Sequence, residues 1–339
     1  MLICAAPGVP VLGPSGSSAH LRGIAGALGP AAIVAARKVD HRGKHGAVAV
    51  PMVEVGVPGW PSWLGPWREY TEVVAARRVA RAAALYAPDL VWERHSLFSD
   101  AGWKIHAATG AKWVLEVNAP LVDERLRYET VRRIAWARSW ERDVLLAAPR
   151  VIAVSAWLVD WLRSIGCKDV RYVPNGVVPV KGHREATRRA LGLDGKLVFG
   201  FLGSMKPWHG VERLRELLEW FPEAVGLLVG DGPVKVDHPR ILKVGQVTEE
   251  HVPHLVAAMD IGLAPYAADA PPWFCPLKIL AYRAQGTPIV ASDVGDCKAI
   301  TGSGGTVGED FVEAIRHWRT RCAKVAVRSW QQVVAEALA

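Results

Sequence analysis

Two lysines near the starts of predicted helices are the residues of this chain best suited to bind an anion. Lys278 lies in the first turn of a helix that begins at Pro276, where the missing N–H of proline costs nothing. Lys206 lies in the glycine-bounded turn 203–210, between an apolar run and another predicted helix. The free N–H groups of a helix start favour an anion, and a nearby ammonium adds to this preference. We therefore expect a site for a phosphate-bearing ligand.

The elements around Lys278 follow from residue spacing. Apolar residues recur at helical intervals from Leu277 to Ala284, and Gly286 followed by Pro288 is typical of a helix end. The next apolar run, 289–291, has the composition of a buried strand. A helix start at the edge of a parallel sheet is where α/β proteins bind phosphate-bearing ligands.

The beginning of the chain has the same order of strand, glycine turn and helix. The run 1–6 predicts a strand, the turn ends near Gly16, and 19–28 predicts a small-residue helix, as in a Rossmann-like unit. The glycines lack the G-x-G-x-x-G spacing, so a nicotinamide-binding fingerprint is absent. His20 lies on this helix, and we favour a helix-face histidine without a ligand.

Polar residues end two further predicted strands. Glu93 and Arg94 end the strand 89–94, and Glu116 and Asn118 end the strand 113–118. The carboxyl ends of parallel strands are where α/β sites lie, so these side chains are candidates for ligand contact. A structural ion pair between Glu93 and Arg94 is an equally good interpretation.

The composition is that of a globular protein with more than one core. The chain has 339 residues, 50% of them hydrophobic and 22% charged, which favours two domains. No apolar run is long enough to span a membrane, and 1–6 has no basic lead, so we interpret it as a strand and not as a signal peptide. The five cysteines are scattered without metal spacing, which predicts a reduced cytoplasmic chain without structural zinc.

The net charge of +8 is concentrated in the first half. Residues 1–178 contain 22 Lys and Arg against 15 Asp and Glu, whereas the remainder contains 19 against 18. An electropositive first half is compatible with an anionic partner or a peripheral position on the inner face of the membrane, and equally with a solvated basic face. No nucleic-acid motif accompanies the charge, so nucleic acid is not expected.

The stretch 58–70, PGWPSWLGPWREY, contains three tryptophans among prolines and glycines. It is too interrupted for a helix and too apolar for an ordinary surface loop. Two interpretations stay open: a flap that binds an acceptor or touches a membrane, and a loop packed under its own tryptophans.

Several of these segments resemble family 4 retaining glycosyltransferases, which have the GT-B architecture. The matches lie in the same order along the chain: GPSGSSAHLRGIAGAL, PDLVWER, LEVNAPLVDER, VPNGV, GSMKPWHG, CPLK and GTPIV. The chain departs from the family pattern at four positions. Ala281 replaces the glutamate thought to bind the nucleotide ribose, Val178 replaces a common aspartate, and Ser204 and His209 replace an arginine and a lysine.

The resemblance implies an α/β fold of two facing Rossmann-like domains with parallel sheets and a cleft between them. It implies an acceptor-binding domain at 1–178, a nucleotide-sugar-binding domain at 179–315, and a helix at 316–339 that crosses back to the first domain. It also implies retaining transfer of a sugar from a nucleotide-diphospho-sugar by front-face substitution, with no cofactor and no metal.

The resemblance assigns roles to individual residues. Catalytic roles fall to Lys206, Lys278 and Asn118. Donor binding falls to Gly16, Gly203, Ser204, His209, Gly230, Val247, Cys275, Pro276 and Leu277. Acceptor binding falls to Ser17, His20, Arg94, Glu116 and Glu124, and no residue is assigned to a metal.

The expected partners are a nucleotide-sugar donor and a hydroxyl-bearing acceptor, which could be a glycan, a lipid-linked sugar or a small aglycone. Two other functions stay open. The missing glutamate at Ala281 and the replacements at Ser204 and His209 are compatible with a degenerate, non-catalytic nucleotide-binding partner. A sugar-nucleotide hydrolase or epimerase on the same fold is the second alternative.

Overall fold

The computed structural model describes residues 2–13, 15–36, 50–56, 67–323 and 326–339. They form two compact units, one with Ser17–Asn175 and Trp330–Ala339 and the other with Gly176–Ser329. The first unit also contains the described residues before Pro14. The boundary between the units thus lies after Asn175, whereas the sequence analysis placed it after Val178. Residues 316–329, which the sequence analysis assigned to the segment crossing back to the first domain, lie in the second unit.

The first unit is built on a parallel sheet that has seven strands within the described residues. They are β1 (Leu2–Ala6), β2 (Ala32–Ala36), β3 (Met52–Glu54), β4 (Leu90–Arg94), β5 (Lys112–Val117), β6 (Arg150–Ala153) and β7 (Val170–Tyr172). Their order is β3-β2-β1-β4-β5-β6-β7. The central strands are almost entirely buried, because helices cover both faces of a parallel sheet.

Six helices before Asn175 are described in the first unit. They are α1 (Gly16–Leu28), α2 (Arg68–Ala84), α3 (Ala101–Thr109), α4 (Leu121–Tyr128), α5 (Ile134–Ala147) and α6 (Ala156–Ile165). The predicted cap of α6 is confirmed, since Leu158 N donates to Ser155 Oγ at 3.3 Å.

Helix α2 begins inside the tryptophan-rich stretch, at Arg68. The prediction that 58–70 is too interrupted for a helix is therefore wrong for its last three residues. Residues 58–66 of the predicted flap lie outside the described residues, and Trp67 is described.

The second unit has a parallel sheet of six strands in the part of the chain that the structure describes. They are β8 (Leu197–Leu202), β9 (Ala224–Val229), β10 (Ile241–Gly245), β11 (Ile261–Ala264), β12 (Ile289–Ala291) and β13 (Gly305–Val307). Their order, β10-β9-β8-β11-β12-β13, is that of a doubly wound sheet that reverses between β8 and β11. The predicted α/β fold with two Rossmann-like parallel sheets is confirmed.

The helices of the second unit lie before, between and after these strands. They are α7 (Arg184–Ala190), α8 (Arg213–Trp220), α9 (Val252–Ala257), α10 (Leu277–Gln285), α11 (Cys297–Thr301) and α12 (Phe311–Trp318). Helix α10 ends at Gly286, whose φ of +72° gives the left-handed cap predicted from sequence. Pro276 is the residue before α10, one position earlier than expected.

Tyr282 of α10 bridges the two strands between which the second sheet reverses. The ladder between β8 and β11 joins Ile261 to Phe199 and Gly262 to Gly200. Beyond it, the Tyr282 hydroxyl accepts from Leu202 N at 3.0 Å and donates to the Leu263 carbonyl at 3.1 Å. The hydroxyl therefore satisfies backbone groups at the point where the strands separate.

The last helix, α13 (Trp330–Leu338), packs with the first unit. Its Trp330 is buried against α1, with its ring 5.0 Å from that of His20. A Cβ on Gly23 would overlap this indole ring, so α1 needs a glycine there. Within the described ranges, no helix is both long and apolar enough to cross a membrane.

Glu93, at the end of β4, positions the start of α3. Its fully buried carboxyl group accepts from Ser99 Oγ at 2.8 Å and from Gly102 N at 3.1 Å. The ion pair with Arg94, one of the two interpretations left open, is not formed, and the Arg94 guanidinium is bonded to His20 instead. Burial raises the pKa of Glu93 to about 7.

This pKa predicts a pH-dependent contribution to stability. A carboxyl whose folded pKa is raised from 4.5 to about 7 stabilises the fold fully below pH 4.5, and this contribution is lost as pH rises towards 7. In Glu93→Gln, the loss of unfolding free energy between pH 4.5 and 7.5 should be smaller by about 3 kcal/mol. Urea denaturation of both proteins across this range measures the difference, and parallel pH profiles would contradict the assignment.

Candidate functional site

The Lys278 side chain is the clearest unsatisfied polar group of the second unit. Only 8% of the residue is exposed, and its Nζ has no hydrogen-bond partner. The ammonium lies 3.9 Å from the ring centroid of Phe201 and 4.9 Å from that of Tyr266. A Cβ on Gly203 would lie 3.4 Å from Nζ, so the structure brings Lys278 to the predicted glycine turn after β8.

Burial without a counter-ion makes the charged form of Lys278 costly. Desolvation lowers its pKa from 10.5 to about 7. The two aromatic faces offset part of this cost through cation–π attraction, but they supply no hydrogen-bond acceptor. An anion beside Nζ would provide the missing partner and restore the charged form.

The start of α10 adds to this preference for an anion. Pro276 has no N–H, and its side chain provides no hydrogen bond to the first turn. The N-terminal end of the helix dipole therefore lies in the same turn as Lys278. Cys275 and Pro276 are buried beside this turn, and Leu277 is half-buried.

Glycines allow the loops after β8 and β9 to approach closely. Gly203 donates to the Val229 carbonyl at 2.9 Å. A Cβ on Gly230 would overlap the Gly203 carbonyl oxygen, and a Cβ on Gly232 would overlap that of Ser204. The predicted residues Gly203, Ser204 and Gly230 are thus brought together by backbone contact.

His209 contributes an uncharged ring to this site. Its Nδ1 accepts from Lys206 N at 3.3 Å. Burial, together with the charges of Lys278 and Lys206, lowers its pKa to about 2. Where the family pattern has a lysine, this chain therefore has a neutral imidazole, and positive charge is left to Lys278 and to the exposed Lys206.

Aromatic rings that the sequence analysis did not select surround these residues. Trp208 lies 5.9 Å from Tyr266 and 5.2 Å from Phe274, and these last two rings are 4.7 Å apart. Phe201 and Tyr266 lie at or just after the ends of β8 and β11. Their position at the carboxyl end of the sheet is the only sequence signal that could have identified them.

Val247 follows the end of β10 by two residues. Its side chain lines a cavity of about 410 Å³ together with His183, which precedes α7, and with residues of α7 and α9, among them His254. Two residues before Val247, the Gly245 carbonyl accepts from Gly230 N at 2.7 Å, and the predicted role of Val247 towards the nucleobase stays a prediction.

In the first unit, three predicted acceptor-binding residues form a buried charge cluster. His20 Nε2 lies 2.7 Å from Glu116 Oε1, and Arg94 is bonded to His20 Nδ1. Glu116 also accepts from Trp92 Nε1 at 3.0 Å. Despite desolvation, which alone would raise it, the pKa of Glu116 is lowered by His20, Arg94 and Trp92. Burial lowers the pKa of His20 and raises that of neighbouring Cys4 to about 12.

These contacts give His20, Glu116 and Arg94 a structural role at the carboxyl ends of β4 and β5. His20 and Glu116 are almost completely buried and directed at each other. The interpretation of His20 as a residue without a ligand agrees with this geometry, and an acceptor-binding role for the three residues stays a prediction.

The remaining predicted residues from the first half of the chain are more accessible. Gly16 is exposed at the start of α1, and Ser17 and Glu124 are half-buried. Asn118 is half-buried, and its Nδ2 is a buried donor without a partner. Asn118 is therefore the first-unit candidate with unused hydrogen-bonding capacity.

Two family models match this chain. The model described as Glycosyltransferase Family 4 matches residues 15–181, and the model described as Glycosyl transferases group 1 matches residues 196–320. These two matches, with the two Rossmann-like sheets, define a GT-B protein. The chain belongs to the GT4-type glycosyltransferases.

Curated relatives share part of their sequence with this chain. A Bacillus subtilis protein named as a teichuronic acid biosynthesis glycosyltransferase, TuaH, is 27% identical over 46% of this chain. A GDP-mannose-dependent alpha-mannosyltransferase of Mycobacterium tuberculosis is 29% identical over 61% of this chain. The chain spans 43% and 59% of the lengths of these two relatives.

A solved structure has the same fold over nearly the whole chain. Anabaena HepE in complex with UDP and glucose superposes with a TM-score of 0.69 at 18% identity. The match covers 99% of this chain and 98% of that one.

The close approach at Gly232 predicts a specific sensitivity of the site. Gly232→Ala places a methyl group on the Ser204 carbonyl, so the turn that carries Ser204 must move. We expect a loss of unfolding free energy of about 1–3 kcal/mol and weaker ligand binding.

Gly308→Ala is the matched control, because no atom lies within 4 Å of a Cβ at that position. Chemical denaturation measures the unfolding free energy of each variant against that of the unchanged protein. Equal stability would show that the turn tolerates the methyl group.

Proposed function

We propose that this chain transfers a sugar from a nucleotide-diphospho-sugar to an acceptor hydroxyl, with retention at the anomeric carbon and without a metal ion. The observation that carries the proposal is the buried, unpaired ammonium of Lys278 at the start of α10. A diphosphate is a ligand that would provide its missing partner. The GDP-mannose dependence of one relative and the UDP bound to a protein of the same fold support this ligand class.

Lys278 would stabilise the charge that develops on the leaving diphosphate. As the bond between the anomeric carbon and the phosphate oxygen breaks, negative charge grows on that oxygen. A preorganised ammonium and a helix N-terminus in a dry site can stabilise this charge with little reorganisation. Lys206 would add charge from the exposed side of the turn, and the neutral His209 would add only a dipole.

Front-face substitution accounts for retention without a carboxylate nucleophile. The acceptor oxygen bonds to the anomeric carbon on the face that the diphosphate leaves. The acceptor proton passes to the departing phosphate oxygen, so the chain itself need not take it. Asn118 cannot act as a base, but its unpartnered amide could donate to a sugar hydroxyl.

The alternative of a non-catalytic nucleotide-binding partner rests on Ala281, which cannot supply the ribose contact of the family pattern. The two functions differ in turnover. A non-catalytic partner binds the sugar nucleotide and leaves it intact, whereas a transferase releases the nucleoside diphosphate when an acceptor is present.

Lys278→Met tests the donor site. A panel of UDP-, GDP- and ADP-sugars in EDTA should contain one that raises the unfolding free energy of the unchanged protein, by about 2.7 kcal/mol at a hundred times its Kd. In Lys278→Met, that ligand should no longer stabilise, and transfer should slow by about 10²–10³. The free variant should be about 2–4 kcal/mol more stable at pH 7, because a desolvated charge is removed.

Lys298→Met is the control, since it removes an exposed lysine of the same unit. Calorimetric titration of both variants separates loss of the site from a general loss of charge. Undiminished affinity in Lys278→Met would refute the donor-site assignment. Binding that requires a divalent ion would refute metal independence alone.

The lowered pKa of Lys278 predicts pH-dependent donor binding. In the free protein this group loses its proton as pH rises through about 7, whereas a bound diphosphate keeps it charged. Affinity should therefore fall by about tenfold per pH unit above 7, with uptake of up to one proton on binding.

Calorimetry in two buffers of different ionisation enthalpy measures this uptake. A sugar nucleotide is the ligand to use, because a terminal phosphate monoester would itself titrate near pH 6. Lys278→Arg should abolish the dependence, because a guanidinium stays protonated throughout this range. An unchanged pH profile in that variant would assign the titration to another group.

A further inference from the structure

A row of aromatic side chains extends from the core of the first unit to its surface. We define the aromatic row as Trp67, Tyr70, Trp136, Phe98 and Trp140. Tyr70 lies 5.5 Å from Trp67 and 5.1 Å from Trp136, and Phe98 lies 4.6 Å from Trp136. Trp136 and Trp140 meet edge to face at 5.7 Å. None of these residues takes part in the proposed transfer step.

At the exposed end of the row, the Tyr70 ring packs against a guanidinium group that is itself paired. Trp67 is 47% exposed and Tyr70 42%, yet the Arg133 guanidinium lies 4.7 Å from the Tyr70 ring centroid. Arg133 is itself fixed by Glu69, which accepts from its side chain at 3.1 Å and from its backbone N–H at 3.2 Å. Ordered aromatic faces at a surface are costly to leave in water and commonly mark a binding site.

The buried end of the row is anchored near the carboxyl end of β4. Phe98 follows β4 by four residues, is completely buried and has a φ of +62°. A left-handed backbone is unfavourable for a bulky residue and persists only where packing compensates. The row therefore lies in the part of the first sheet where α/β proteins place their ligands.

The charges beside the row distinguish between possible occupants. Four flanking arginines are each paired with a carboxylate: Arg68 with Glu129, Arg125 with Glu72, Arg133 with Glu69 and Arg138 with Asp123. Although residues 1–178 carry excess positive charge, these pairs offset it here. An anionic membrane or a free phosphate would be drawn to unpaired cations, so this surface is not suited to either.

A neutral sugar chain fits both features. The C–H groups of a pyranose face carry partial positive charge and stack on the negative face of an aromatic ring. The guanidinium and carboxylate groups at the rim present donors and acceptors for hydroxyl pairs. We propose that the aromatic row binds a neutral glycan, and that this glycan is the acceptor of the transfer reaction. The role of this glycan as the acceptor rests on the proposed function, whereas glycan binding itself requires no catalysis.

Affinity electrophoresis tests the proposal with the intact chain. Native gels containing mannan, dextran, xylan or amylopectin should retard the protein in at least one case. Tyr70→Ala and Trp136→Ala should each weaken that interaction about tenfold, as expected for one lost aromatic contact. Tyr70→Phe should retain it, because the ring remains.

Trp103→Ala is the matched control, since Trp103 is 44% exposed on α3 and has no place in the row. No retardation by any of the four polysaccharides, or retardation that Tyr70→Ala leaves unchanged, would overturn the proposal. Binding of phosphatidylglycerol vesicles through Tyr70, without polysaccharide binding, would also overturn it in favour of a membrane surface.

Donor binding by the same variants, measured by calorimetry, separates this proposal from the proposed function. Tyr70→Ala should bind the sugar nucleotide as the unchanged protein does, which also shows that the variant is folded. Glycan binding without donor binding would sustain a glycan-binding surface and refute the transferase. Donor binding without glycan binding would refute the glycan-binding surface and leave the transferase proposal standing.

Discussion

The second unit is organised around an ammonium group that is buried without a hydrogen-bond partner. Desolvation of Lys278 opposes folding, and the faces of Phe201 and Tyr266 offset only part of that cost. The start of α10 adds a partial positive charge to the same place. The folded chain therefore contains an uncompensated positive charge that a bound anion would stabilise. Binding free energy is available there because the protein leaves the charge unsatisfied.

The two sheets use the same topological position in opposite ways. At the carboxyl ends of β4 and β5 in the first unit, His20, Glu116 and Arg94 bond to one another, and His20 and Glu116 are buried. Between β8 and β11 in the second unit, Tyr282 satisfies the separating strands, and Lys278 is left without a partner. Strand order alone thus does not make a binding site. The balance of charge at the edge of each sheet decides whether the charged groups there are paired.

Close packing of backbone against backbone fixes the geometry around Lys278. Gly230 and Gly232 let the loop after β9 touch the carbonyl groups of the loop after β8. The ring packing of Trp208 with Tyr266 and Phe274 then covers the turn from the other side. Because protein interiors tolerate little added volume, even a methyl group at these glycines would displace the carbonyl groups of Gly203 and Ser204.

The sequence by itself determined the local elements and their order. Apolar periodicity and the pair Gly286 and Pro288 located α10 and β12, and Ser155 located the start of α6. These features depend on residues within one or two turns of each other, so a single sequence encodes them. Lys278 could be selected for the same reason, since its position at a helix start is a local property.

The tertiary structure decided which side chains meet. That Phe201 and Tyr266 enclose Lys278, that Glu93 bonds to the start of α3 and not to Arg94, and that Tyr70 stacks on Trp136 are contacts between segments distant along the chain. Residue type and spacing do not specify such pairs, because strand order and helix packing bring them together. The sequence therefore identified a lysine that could bind an anion. Only the fold showed that its charge is buried and unpaired, which is the physical basis of the proposed donor site.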